Sequence, residues 1–189
     1  MAGNIFVISA PSGTGKTTIV KKLLNDVPNL VLAVSYTTRF ARPQEKDGVD
    51  YFFVDKVQFK EMVRSGGFIE WAEVHGQTYG TPKKEVEESL AKGLDVLLDI
   101  DTQGAAKVKQ KYPDAVLVFL LPPSFDELER RLRSRGTNTE EDVEKRIENA
   151  REEYVRRHEY DYQVVNDELE EAFDEVVEII DYYRGELED

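Results

Sequence analysis

The chain has 189 residues, 40% of them hydrophobic and 33% charged, with a formal net charge of −13, which fits one folded domain with appendages rather than a disordered segment. The acidic balance argues against duplex nucleic acid as a partner, and no apolar run approaches the roughly 20 residues of a membrane span. Cysteine is absent and there are only two histidines, so disulfides, thiolate metal sites and a histidine-based metal site are excluded. Met1–Asn4 lead directly into an apolar run without a signal-peptide pattern, and a cytoplasmic location is expected.

In chain order, Ile5-Phe6-Val7-Ile8 reads as a strand, Ser9–Thr18 as a glycine-containing loop, and Ile19, Val20, Leu23 and Leu24 as the apolar side of a helix ending near Pro28. Leu30–Ser35 is predicted as a short buried strand. The helical spacing of Val57, Phe59, Met62 and Val63 within Asp55–Ser65 stops at Gly66-Gly67. Phe68–Val74 and Gln77–Gly80 form a predicted hairpin, and Pro82 opens a helix over Lys83–Lys92. Leu94–Ile100 and Ala115–Leu121 are continuous apolar strands of the kind buried in parallel sheets, with a helix over Thr102–Lys111 between them. Ser124-Phe125-Asp126-Glu127 resembles a capping box for a helix to about Arg135. Thr139 is the expected N-cap of a long charged helix to about Glu159. Tyr162–Val165 is the last strand and Glu168–Tyr183 a closing amphipathic helix.

This alternation predicts an α/β fold with a parallel-sheet core. Residues 36–81 and 126–158 fall outside the alternation and read as a mixed β insertion and an arginine-rich helical excursion. Together with the glycine loop, they point to a kinase that closes over two bound substrates.

Three groups of residues carry chemistry. The first is the loop Ser12, Gly13, Thr14, Gly15, Lys16, Thr17 and Thr18. A strand, a glycine-rich turn and Lys-Thr at a helix start turn successive N–H groups onto an anion, and the helix N-terminus adds partial positive charge. Lys16 supplies a mobile charge for the β- and γ-phosphates, and the Thr17 hydroxyl is placed to ligate Mg²⁺. Ala10 stands where the usual pattern has glycine. Asp99, closing a buried strand, either holds Mg²⁺ opposite Thr17 or caps the next helix, and Asp101 either caps or faces the second substrate.

The second group is Arg131, Arg135 and Arg146. Arg131 and Arg135 share a helix face at i, i+4. They are either solvated and paired with Glu127 and Glu141, or they surround a migrating phosphoryl group, which needs cations rather than a tuned base. The third group is Ser35, Arg39, Arg42, Tyr51, Glu70, Tyr79 and Thr81. Arginines with tyrosine hydroxyls suit a phosphate monoester. Glu70 is compatible with a strand-surface acid, or with a carboxylate accepting the two adjacent donors of guanine, its N1–H and 2-amino group.

The order and spacing of these blocks, with Gly48-Val49-Asp50-Tyr51, Phe68-Ile69-Glu70-Trp71-Ala72, Tyr79-Gly80-Thr81 and Leu98-Asp99-Ile100-Asp101-Thr102-Gln103-Gly104, resemble the guanylate kinase family along essentially the whole chain. The Ala10 departure also occurs in that family. The resemblance implies a P-loop NTPase-type three-layer core at 1–34, 83–125 and 157–189, a GMP-binding insertion at 35–82 and a lid at 126–156. It implies ATP-dependent phosphorylation of GMP and dGMP with Mg²⁺, by a monomer or small homo-oligomer without nucleic-acid or membrane partners. By resemblance, Ser35, Arg39, Arg42, Tyr51 and Tyr79 bind the GMP phosphate, with Glu45 supporting the arginines. Glu70, Thr81 and Asp101 read guanine, Arg131, Arg135 and Arg146 act from the lid, and Asn166 lies near the adenine of ATP. The rival readings are another small-molecule kinase on the same fold and a noncatalytic scaffold module. Such modules typically lack an intact phosphate loop, whereas Lys16, Thr17 and Asp99 are all present here.

Overall fold

The computed structural model describes residues 2–74, 76–134 and 140–185. Arg135 and the expected cap Thr139 lie outside these described residues. Five parallel strands form the central sheet, in the order β2 (Leu30–Leu32), β7 (Asp95–Asp99), β1 (Ile5–Ser9), β8 (Val116–Leu121) and β9 (Tyr162–Val165). Alternating side chains of β1 define the two faces. Phe6 and Ile8 pack with Ile19 and Leu23 of α1 (Lys16–Asp26) and Val176 and Ile180 of α7 (Leu169–Arg184). Ile5 and Val7 pack with Val86 of α3 (Lys83–Ala91) and Ala105 and Val108 of α4 (Thr102–Lys111). The result is the parallel α/β core the alternation predicts, in the three layers the resemblance implies, with β1 at its centre and the loop after β1 opening at the carboxyl edge.

A second, mixed sheet has the order β4 (Phe52–Phe53), β3 (Tyr36–Thr37), β6 (Gln77–Pro82), β5 (Phe68–Val74). Tyr36 stacks on Phe52 at 4.6 Å, and Phe59 of α2 (Lys56–Arg64) packs on Phe68 at 4.8 Å. A capping box between Asp55 and Gln58 starts α2. In the third part, α5 (Phe125–Ser134) and α6 (Glu140–Val155) share their own apolar cluster of Leu128, Leu132, Val143, Ile147 and Ala150.

Two elements differ from the sequence reading. The strand expected over Leu30–Ser35 ends at Leu32, because the chain leaves the central sheet there and Tyr36–Thr37 joins the second one. The long helix expected to Glu159 ends at Val155 and tightens into a 3₁₀ turn over Arg156–Glu159. Arg156 bonds Glu159 three residues on, and the turn delivers Tyr160 edge-on to Phe119 at 4.9 Å.

A buried ion pair ties the last helix to the sheet. Asp95, 5% exposed, accepts from Arg184 Nε at 2.7 Å and from the Asn4 amide at 2.6 Å, and Arg184 also donates to the Pro28 carbonyl. Removing Asp95 leaves the largely buried Arg184 with the more distant Asp181 at 3.9 Å, and takes the acceptor from the Asn4 amide. Asp95→Ala is expected to lower unfolding free energy by about 3 kcal/mol in denaturant titration. An unchanged midpoint would contradict this structural role.

Candidate active site

The loop between β1 and α1 is shaped by two residues. Gly13 (φ 95°) and Gly15 (φ 98°) occupy the left-handed region, where a side chain is disfavoured. Ala10 does not, since Asn29 is the only non-glycine with positive φ among the described residues. That is why alanine is tolerated at the position usually held by glycine. Gly15 is also required for space, as a Cβ there would lie 2.6 Å from Asn166 Nδ2. Asn166 follows β9 and donates through Nδ2 to the Thr14 carbonyl at 2.7 Å, buried beneath the loop. Thr14 is likewise buried.

Lys16 opens α1, and its ammonium pairs with the carboxylate of Asp99, the last residue of β7. Burial alone would lower the pKa of Lys16; the Asp99 charge and hydrogen bond reverse this and hold it above its ordinary value. Asp99 therefore does not cap α4. That cap is Asp101, whose Oδ1 accepts from the Gly104 amide at 2.8 Å.

One cavity of about 430 Å³ joins the loop to the second sheet. Ser12, Gly13, Gly15, Lys16, Thr17, Thr18, Asp99 and Asp101 line it from the core; Ser35, Arg42, Tyr51, Glu70 and Tyr79 line it from the insertion. Arg39 and Glu45 stand behind this wall. Their side chains form a two-point pair, both contacts at 2.9 Å, and Glu45 also accepts from the Arg42 amide at 2.8 Å. The pairing raises the pKa of Arg39 and lowers that of Glu45. The Arg39 guanidinium lies over the Tyr51 ring at 5.4 Å, and Tyr51 meets Tyr79 edge-on at 5.9 Å. A larger groove of about 930 Å³ between α5 and α6 has charged walls, including Glu129, Arg133 and Lys145, and shares no residue with the phosphate loop.

Glu70 is 5% exposed, on β5 facing α4. Its Oε1 accepts from Thr81 Oγ1 at 2.6 Å, so Thr81 contributes through Glu70 rather than from the cavity wall. Burial pushes the Glu70 carboxyl up to about 7, Asp101 adds to the rise, and Thr81 and Lys107 oppose it.

From the lid, Arg146 lines the cavity and its Nη2 donates to Ser12 Oγ at 2.7 Å. Arg131 donates to Glu127 at 2.7 Å and is not part of the cavity wall. Arg135 lies outside the described residues. Sequence reasoning missed Glu153, which lines the cavity from α6, where Lys16 and the Ser12 backbone favour its charged form. Burial raises its carboxyl to about 7. Its spacing of seven from Arg146, two turns along one helix face, was the available signal.

The set fits a divalent metal of the hard kind. Thr17 and Asp99 offer oxygen donors on one cavity, and no group of three or more acidic, His or Cys ligands occurs among the described residues. Mg²⁺ matches such a sparse set because it is held by one or two protein oxygens together with substrate phosphates. No helix among the described residues is long and apolar enough to cross a membrane.

A phosphate loop and an arginine–tyrosine wall facing each other across one cavity, under a helical arm, define a P-loop kinase for nucleoside monophosphates. The family model described as guanylate kinase matches residues 2–183. The chain is 48% identical over 187 residues to the guanylate kinase of Thermotoga maritima, covering 99% of this chain and 90% of that one. It is 47% identical over 180 residues to that of Dechloromonas aromatica, covering 95% and 89%. The crystal structure of guanylate kinase from Anaplasma phagocytophilum superposes with a TM-score of 0.82 at 39% identity, covering 96% of this chain and 86% of that chain. The chain belongs to the guanylate kinase family.

Only ionised Glu70 can accept two hydrogen bonds from a base. With Glu70 proposed as the acceptor for guanine, KM for GMP is expected to rise as pH falls below about 7, the value to which burial pushes Glu70, approaching tenfold per pH unit. Glu70→Gln should raise KM at pH 8 and flatten this acid limb. Steady-state kinetics across pH 5.5–8.5, as a rough span, would reveal a different controlling group if the limb persisted in the variant.

Proposed function

We propose that the protein transfers the γ-phosphoryl group of ATP to GMP or dGMP in this cavity, as ATP + GMP ⇌ ADP + GDP. The observation that carries this reading is the single cavity with phosphate-loop residues Ser12, Lys16 and Thr17 on one wall and Arg42, Tyr51, Glu70 and Tyr79 on the other. In the proposed division, residues 1–34, 83–125 and 157–189 form the core, 35–82 the GMP-binding part and 126–156 the lid. The separate apolar cluster of the lid supports its acting as a unit.

The acceptor phosphate is already an anion, so no general base is needed and catalysis is positioning plus electrostatics. Ser35, Arg42, Tyr51 and Tyr79 hold the GMP phosphate, and Glu45 holds the Arg39 guanidinium over the Tyr51 ring for the same task. Glu70 accepts the guanine N1–H and 2-amino group, with Thr81 fixing one carboxylate oxygen and Asp101 beside it. Adenine has no donors there, and its N1 lone pair would face a carboxylate. Across the cavity, Ser12, Gly13, Thr14, Gly15 and Thr18 contribute the loop that cradles the triphosphate, and Lys16 contacts its β- and γ-phosphates. Asn166 serves the donor site near the adenine of ATP, and its buried amide braces the Thr14 carbonyl. Thr17 and Asp99 would hold Mg²⁺, which supplies charge neutralisation on the phosphate oxygens when bound. Arg146, already at Ser12, together with Arg131 and Arg135, surrounds the migrating group as the lid closes and excludes water.

In an acceptor panel with ATP and Mg²⁺, kcat/KM for GMP is expected to exceed that for AMP, CMP or dTMP by roughly 10⁴-fold, since wrong bases leave buried polar groups unpaired. AMP as the better acceptor would refute the guanine reading. Lys16→Met is expected to reduce turnover by at least about 10²-fold while GMP binding, measured by calorimetry, stays near wild type. Retained turnover would remove Lys16 from its role.

A further inference from the structure

Gly104 lies in the first turn of α4 and is not among the residues with positive φ. Glycine in ordinary helical conformation weakens a helix relative to alanine, so its presence needs another cause. The cause is space. A Cβ at this position would stand 2.9 Å from Glu70 Oε2, 3.2 Å from Glu70 Cδ and 3.3 Å from Ile100 Cδ1. Glu70 cannot simply withdraw, because its other oxygen is bonded to Thr81 at 2.6 Å. The strand around it is gripped by the same helix: Lys107 donates to the carbonyl of Trp71 and Lys111 to that of Ile69, the two neighbours of Glu70. Positions 104, 107 and 111 are spaced i, i+3, i+7 and share one helix face. One face of α4 thus offers a notch for the carboxylate and two cationic pins for the backbone on either side of it.

We propose that α4 is a jig for Glu70 and that Gly104 is a specificity-determining residue, its missing side chain leaving the notch that sets where Glu70 Oε2 meets the base. The inference rests on the reading of Glu70 as the guanine acceptor and deepens it. Both carboxylate oxygens are needed when the base presents N1–H and a 2-amino group, and one suffices when the 2-amino group is absent. Gly104 therefore bears on the discrimination of GMP from IMP. Lys107 and Lys111 are positioning residues for the same carboxylate.

The test is a double-mutant cycle of Gly104→Ala, Glu70→Ala and the combined variant, assayed with GMP and IMP at saturating ATP. Gly104→Ala is expected to raise KM for GMP roughly 10- to 100-fold, as displacement of a positioned group by about an ångström does, with kcat and KM for ATP near wild type and the GMP/IMP ratio reduced. In the Glu70→Ala background it should add little, because the carboxylate it would displace is gone. Wild-type KM and GMP/IMP ratio in Gly104→Ala would overturn the proposal, as would an equal effect in both backgrounds, which marks an effect not carried by Glu70, such as the methyl meeting the ligand in the cavity that Gly104 lines. If Glu70→Ala itself leaves base preference unchanged, the guanine reading falls and takes this proposal with it; which single variant is silent tells the two failures apart. Should Gly104→Ala fail to fold in thermal melts, Lys107→Met with Lys111→Met loosens the jig without adding bulk. It is expected to raise KM for GMP with kcat retained, and wild-type kinetics there would equally overturn the proposal.

Discussion

Two phosphate groups can be brought into line only if their mutual repulsion is offset, and this chain must do so with a net charge of −13. Four cations at or beside the cavity are held by protein acceptors before substrate arrives. Lys16 lies against Asp99, Arg39 is clamped by Glu45, Arg131 rests on Glu127, and Arg146 reaches Ser12. Each contact limits the freedom of a long side chain before substrate arrives, which is what electrostatic preorganisation requires. Local concentration of positive charge, not the overall balance, decides what the protein binds.

The central sheet makes that concentration possible. β1 is the middle strand, and its carboxyl end opens where β7 and β8 diverge around it. The neighbouring β7 contributes Asp99, and the edge strand β9 is followed by Asn166, which supports the Thr14 carbonyl from below. The phosphate loop is thus held from two other strand ends as well as by its own helix. Glu153 extends the same logic into the lid, where a carboxylate and Arg146 approach Ser12 from one helix face.

The acceptor side works through a cost accepted in advance. Glu70 is buried where its charge is disfavoured, with Thr81 and Lys107 partly offsetting the loss of water. A base edge with two donors restores the missing hydrogen bonds, and one with a lone pair does not. In the proposed reading, specificity comes from the penalty of leaving that carboxylate unmatched.

Motif chemistry depends on neighbours in the chain, and it was legible. The glycine loop with Lys16 and Thr17, the alternation of strands and helices, and the two interruptions at 36–81 and 126–158 follow from local patterns. The two-residue strands β3 and β4 and the tightening at Arg156–Glu159 were not, because they are decided by what the chain packs against. Glu70 and Asp101 stayed ambiguous for the same reason: a carboxylate on a strand or at a helix start has no assigned partner until distant segments meet. The tertiary structure alone put Glu70 against Gly104 and Thr81, gave Asp101 the cap and Asp99 to Lys16, and seated Asn166 under the loop. Apart from the Asp101 cap, whose competitor Asp99 had first to be claimed by distant Lys16, these contacts join residues well separated in the chain, and their energies depend on burial and distance, which no linear pattern encodes.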